Sequence, residues 1–175
     1  MKMKIHILLV VFCYLNCLAA EINTRDNTVS VVVPDDWVVI GSQTKPPKTV
    51  VAFQIPNKAD EGTPDSSNLS ISTFEVAETN AMQQLLARYT PSNVVTTAHG
   101  EWTVRVYRSN QEQTEYVIRD AFRRYGTFFV MVRLAWPHLK ANPSDYDDRM
   151  GKSFVDVLNS ISVKKEANQV PEATR

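Results

Sequence analysis

Along most of the chain, apolar and polar positions alternate or gather in short β-branched blocks, with turn-forming residues between them. Thr28 to Val33 is one such block. It stops at Pro34, which lacks a backbone donor, and Asp35-Asp36 make a turn before Trp37-Val38-Val39-Ile40. The pattern predicts strand, turn, strand. Val50 to Ile55 predicts a further strand, set between Pro46-Pro47 and Pro56. Asn57 to Asn68 collects Gly, Pro, Ser and charge and predicts an exposed loop, and Leu69 to Val76 alternates as a strand does.

At Asn80 to Tyr89 the period changes: Met82, Leu85, Leu86 and Tyr89 fall on one helical stripe, which Pro91 closes. Strands are predicted again near Asn93 to Ala98, Trp102 to Arg108, Glu115 to Arg124 and Thr127 to Trp136. The last two meet at Tyr125-Gly126, where glycine permits the backbone sign that a tight hairpin demands. Tyr146, Met150, Phe154, Val157, Leu158 and Ile161 then form a continuous stripe and predict a helix. Ser144 is placed as its N-cap, with Asp145, Asp147 and Asp148 where the helix dipole favours negative charge.

The N-terminus is built differently. Lys2 and Lys4 precede a mostly apolar stretch from Ile5 to Leu18, and Ala19-Ala20 supplies small residues before the polar Glu21. This is the tripartite pattern of a secretory signal peptide, and the stretch is short of the roughly 20 apolar residues that a spanning helix needs. Cleavage is expected between Ala20 and Glu21, with a cut after Ala19 as the alternative. Neither Cys13 nor Cys17 has the surroundings of a lipidation site, so no stable membrane anchor is expected after cleavage. The chain thus divides into a signal peptide over 1–20, one globular domain over 21–165 and a flexible polar tail over 166–175, exported to the periplasm or secreted. Both cysteines leave with the leader, which removes disulfides, thiolate nucleophiles and cysteine metal ligands from the exported form.

Composition narrows the class of activity. A hydrophobic share of 43% beside 22% charged residues is that of a folded domain. Without the leader, 17 Lys plus Arg stand against 19 Asp plus Glu, a formal charge of −2 that offers no basic field for nucleic acid. Two histidines, His99 and His138, survive and stand in no ligand spacing. With five glycines and no GxSxG, HExxH, SxxK or phosphate-loop motif, the sequence predicts no cofactor, no metal and no enzyme.

Arginine on strands is the unusual feature: Arg105, Arg108, Arg119, Arg123, Arg124 and Arg133 are interleaved with aromatics. With Tyr125-Gly126 as a two-residue turn, Arg124 faces Thr127, Phe122 faces Phe129, Asp120 faces Met131 and Ile118 faces Arg133, so Arg133 lies diagonal to Asp120. The preceding strand adds Arg105 and Tyr107 to that face, and Trp102, Val104, Val106, Val117, Val130 and Val132 make the opposite, aliphatic one. Such a face is either a salt-bridged sheet surface or a recognition surface, since arginine and aromatic residues are favoured at protein contacts. Arg105, Tyr107, Asp120 and Arg133 are the candidate binding residues.

The element order, from Val33-Pro34-Asp35-Asp36-Trp37 through a meander containing Tyr125-Gly126-Thr127 to a terminal helix running Phe154 to Ile161, resembles the PsbP-like domains. Within them it is similar to the bacterial DcrB-like exported proteins, over about residues 27 to 163. The resemblance implies an α+β fold, an antiparallel sheet flanked by helices in an α/β/α sandwich. It also implies a non-enzymatic accessory or binding role in the bacterial cell envelope, exercised through contacts with a protein partner. The bacterial relatives are often lipid-anchored, and this chain departs from them by lacking the lipidation cysteine. The alternative is a periplasmic immunity protein that neutralises a secretion-system effector. Neither reading fixes the oligomeric state.

Overall fold

The computed structural model describes residues 17–23, 27–45, 48–64, 66–75, 93–126 and 128–165. The first five strands are β1 (Cys17–Asn23), β2 (Asn27–Pro34), β3 (Val38–Lys45), β4 (Lys48–Gln54) and β5 (Asn68–Glu75), with a single 3-10 turn at Lys58–Asp60 before the fifth. They are followed by β6 (Asn93–Thr97), β7 (Gly100–Gln111), β8 (Thr114–Tyr125), β9 (Phe128–Pro137), the helix α1 (Tyr146–Ser160) and β10 (Ser162–Lys165). Seven strands form one antiparallel sheet in the order β3-β4-β5-β9-β8-β7-β6, and three form a second in the order β1-β2-β10.

Period-2 alternation decides which face of the large sheet is dry. Phe53, Leu69, Ile71, Trp102, Val104, Ala121, Val130, Val132, Leu134 and Trp136 are buried on one face. Against them pack Met150, Phe154, Val157 and Leu158 from α1, together with Val29, Val31 and Val33 from β2. The covering layer is therefore part helix and part sheet. Arg119 reaches into the same layer, its Cζ 5.7 Å from the Trp136 ring, and a Cβ on Gly151 would stand 2.9 Å from Arg119 Nη2. Glycine at that buried helix position leaves the guanidinium its space.

The predicted α/β/α sandwich is corrected by this arrangement. The described residues are mostly β, with one α-helix, and a three-stranded sheet shares with that helix the layer over the large sheet. The β-branched run Val29, Val31, Val33 explains the difference, because side chains two residues apart share one face of a strand and bury there together. The predicted helix over Asn80 to Tyr89 lies outside the described residues, as do residues 1–16 of the predicted leader and the tail 166–175.

Other expectations are corrected in detail. The hairpin register differs: Tyr125 stands opposite Phe128 and Gly126 has φ 56°, so Asp120 faces Arg133 directly and Phe122 faces Met131. This two-residue shift preserves the assignment of faces. Asp145, not Ser144, occupies the N-cap of α1, and its side chain makes no capping bond. Within the loop expected to be exposed, Asp60 and Ser67 are buried. Ser162–Lys165, expected to lead into a fraying end, pairs with Asn27–Ser30. Just beyond that pairing, the Ser160 hydroxyl accepts the Val32 N–H at 3.0 Å. Residues Cys17 to Ala20, assigned to the leader, pair with Val31 to Pro34.

Candidate functional site

The four predicted site residues come together. Asp120 on β8 stands opposite Arg105 on β7 and Arg133 on β9, and Tyr107 lies one same-face position along β7. Arg133 grips the carboxylate with both arms of its fork, Nε to Oδ1 at 2.7 Å and Nη2 to Oδ2 at 2.9 Å. The Tyr107 hydroxyl donates to Oδ2 at 3.2 Å, and the Arg105 guanidinium lies 4.1 Å above the Tyr107 ring. Asp120 is 0% exposed and the Arg133 side chain 35%. Apolar clusters flank the row, Phe122 and Met131 on one side and Tyr116, Ile118 and Ala135 on the other. The arrangement satisfies a buried carboxylate with charge-assisted bonds and ties three strands together. Asp120 cannot itself meet a partner, whereas Arg105, Tyr107 and Arg133 are each partly exposed.

A second polar group, which the sequence did not reveal, lies at the end of the sheet where the β4–β5 loop meets the start of α1. Asp60 Oδ2 accepts from Ser67 N at 2.9 Å and from the Ser67 hydroxyl. Because that hydroxyl proton goes to the carboxylate, Tyr146 donates to Ser67 Oγ, 3.0 Å away. Burial raises the Tyr146 phenol above its ordinary range; the Ser67 bond opposes the shift and the Asp60 charge adds to it. A serine beside a carboxylate is a pairing that can activate a nucleophile, but Ser67 is completely buried, and here the pairing fastens loop to helix. A cleft of about 440 Å³ opens beside it, lined in part by Gln54, Ile55, Asn57 and Asp60. Nearby, Trp136 Nε1 donates to Asp147 at 2.6 Å and His138 Nδ1 stands 3.6 Å from the same carboxylate. His99 is exposed. Among the described residues no three His, Cys, Asp or Glu are grouped to hold a metal ion, and no helix is long and apolar enough to cross a membrane.

The third feature is an edge. Among the described residues β3 pairs with β4 alone, so one side of its backbone is open at the margin of the large sheet. Val38, Val39 and Ile40 are 58%, 48% and 57% exposed, consecutive along that edge. Neither α1 nor the small sheet covers them, and the ladder with β4 is irregular between Val39 and Gly41, leaving Ile40 out of register. Three adjacent exposed aliphatics on an open edge form a pairing template that most sheets blunt with charge, proline or a bulge, and along Val38 to Thr44 only the bulge at Ile40 is present. The sequence named this segment as a strand but gave no sign that it was terminal in the sheet.

No family model and no curated protein matches the chain. Among solved structures, a crystal structure from Bacteroides thetaiotaomicron VPI-5482 at 1.50 Å resolution is similar, at 17% identity and a TM-score of 0.51. The match covers 79% of this chain and 46% of that one, so this chain spans about half the neighbour's length. At that identity the likeness is one of fold.

Proposed function

We propose that this is an exported, non-catalytic accessory or binding protein that works through protein contacts, and that the open edge at Val38 to Ile40 makes them. One observation carries the reading: three consecutive large aliphatics stay exposed on an unpaired strand edge. Strand addition at such an edge gives affinity through main-chain hydrogen bonds and specificity through alternating side chains. The polar constellations lend themselves less to turnover, since Asp120 and Ser67, the groups best supplied with charged or acidic partners, are both sealed from solvent. Kinship with the DcrB-like exported proteins belongs to the same proposal and rests on the Val33-to-Trp37 and Phe154-to-Ile161 segments. A photo-crosslinking residue placed at position 40 in producing cells should yield a discrete protein adduct. The same residue at position 152, on the exposed side of α1, should not. No adduct at position 40 would remove the edge as a contact surface.

A further inference from the structure

Resting on the reading of β3 as a protein-contact edge, we propose that its occupant is a second copy of this chain, added edge to edge in antiparallel fashion about a two-fold axis. The composition of the segment is polarised along its length. Asp35 and Asp36 stand at one end, Val38 to Ile40 follow, Gly41 to Thr44 carry no charge, and Lys45 closes the strand. Reversing this strand against itself around Val39 and Ile40 sets Val39 opposite Ile40 of its own copy, twice over, with Val38 opposite Gly41. The same reversal brings the acidic turn of each protomer toward the Lys45 end of the other, twice over by symmetry. Antiparallel pairing thus satisfies charge and burial together, which is what an isologous interface requires of one patch.

The whole molecule does not oppose this contact. Without the leader the formal charge is only −2, so two copies approach with little net repulsion, whereas a strongly acidic or basic partner would find no complementary field along Val38 to Thr44. The other margin of the large sheet is a poorer template, because β6 has five residues and a single large exposed aliphatic, Val94. Ile40 stands outside the β3–β4 ladder, at the centre of the proposed contact.

Light scattering of the full chain across the micromolar range should give twice the monomer mass of 19.8 kDa. Ile40→Lys places two lysines near the symmetry axis and should weaken association at least about tenfold, with its melting temperature at high dilution unchanged because the side chain is exposed. Val39→Lys provides a second variant for the same comparison. A wild-type monomer throughout, or a lysine variant that remains dimeric, would overturn the second-copy proposal. The position-40 crosslink separates this failure from that of the underlying reading. An adduct containing two copies of this chain supports both. An adduct with a different protein overturns the second copy and keeps the contact edge, and no adduct overturns both.

Discussion

At the scale of single residues, the Asp120–Arg133 pair is where energy is concentrated. A fully buried carboxylate held by a bidentate fork is costly to leave half-made. Arg133→Met should therefore destabilise the fold by about 3 to 5 kcal/mol in urea melts, whereas Asp120→Leu combined with Arg133→Leu should recover most of the loss. A single-variant loss under about 0.5 kcal/mol, the size of an ordinary surface change, would show that the pair does not hold the sheet. Tyr146 supplies a pH signature. Its folded pKa is raised above the ordinary value near 10, so its contribution to stability is complete below that pH. The contribution is lost as pH climbs through the folded value, because the unfolded chain releases its proton first. Stability should fall with a steeper slope above pH 10 in the wild type than in Tyr146→Phe, and equal slopes would contradict the assignment. Of these residues, the sequence disclosed that Arg105, Tyr107, Asp120 and Arg133 share a face, because parity survives a register error of two. It did not disclose Asp60–Ser67–Tyr146, whose partners are brought together by a loop with no periodicity to read.

At the scale of elements, the terminal helix was legible and the four-residue β10 was not. Phe154 and Leu158 lie one turn apart, are 1% and 0% exposed, and pack on the large sheet. Truncating either to Ala should cost about 2 to 5 kcal/mol, as measured by denaturant unfolding. Losses below about 0.5 kcal/mol would detach the helix from the core. Its stripe was readable because six apolar residues keep a helical period over four turns. β10, by contrast, is four residues with two lysines, Ser162-Val163-Lys164-Lys165, and nothing in that composition announces a strand. Its existence depends on β2 lying beside the end of α1, which is a tertiary fact.

At the scale of the molecule, eight of the strands were placed from alternation and turn residues, yet the order in which they pair was not available from either. β5 lies beside β9 and β3 is at the margin because of long-range pairing, and only that order turns Val38 to Ile40 from an ordinary strand into an open edge. The second sheet is not legible in the sequence for a related reason. Its outer strands are drawn from segments read as leader and as the approach to a tail, and a pattern too short to signal by itself acquires meaning only beside a partner strand.

The register of β1 carries a consequence for how the chain matures. Four of its seven rungs, Cys17 with Pro34, Leu18 with Val33, Ala19 with Val32 and Ala20 with Val31, precede the expected cut, and three follow it. A peptidase acting there would sever a strand in its middle, and the precursor and its product would be two differently completed versions of one sheet. Cleavage at that bond would run against stability, because the uncut chain keeps all seven rungs. Chains beginning at Cys17 and at Glu21 should differ in melting temperature, the shorter melting lower, and identical melts would show that those four rungs hold nothing. Where they do hold, folding would compete with any trimming for the same seven residues, and the faster of the two would decide which form remains.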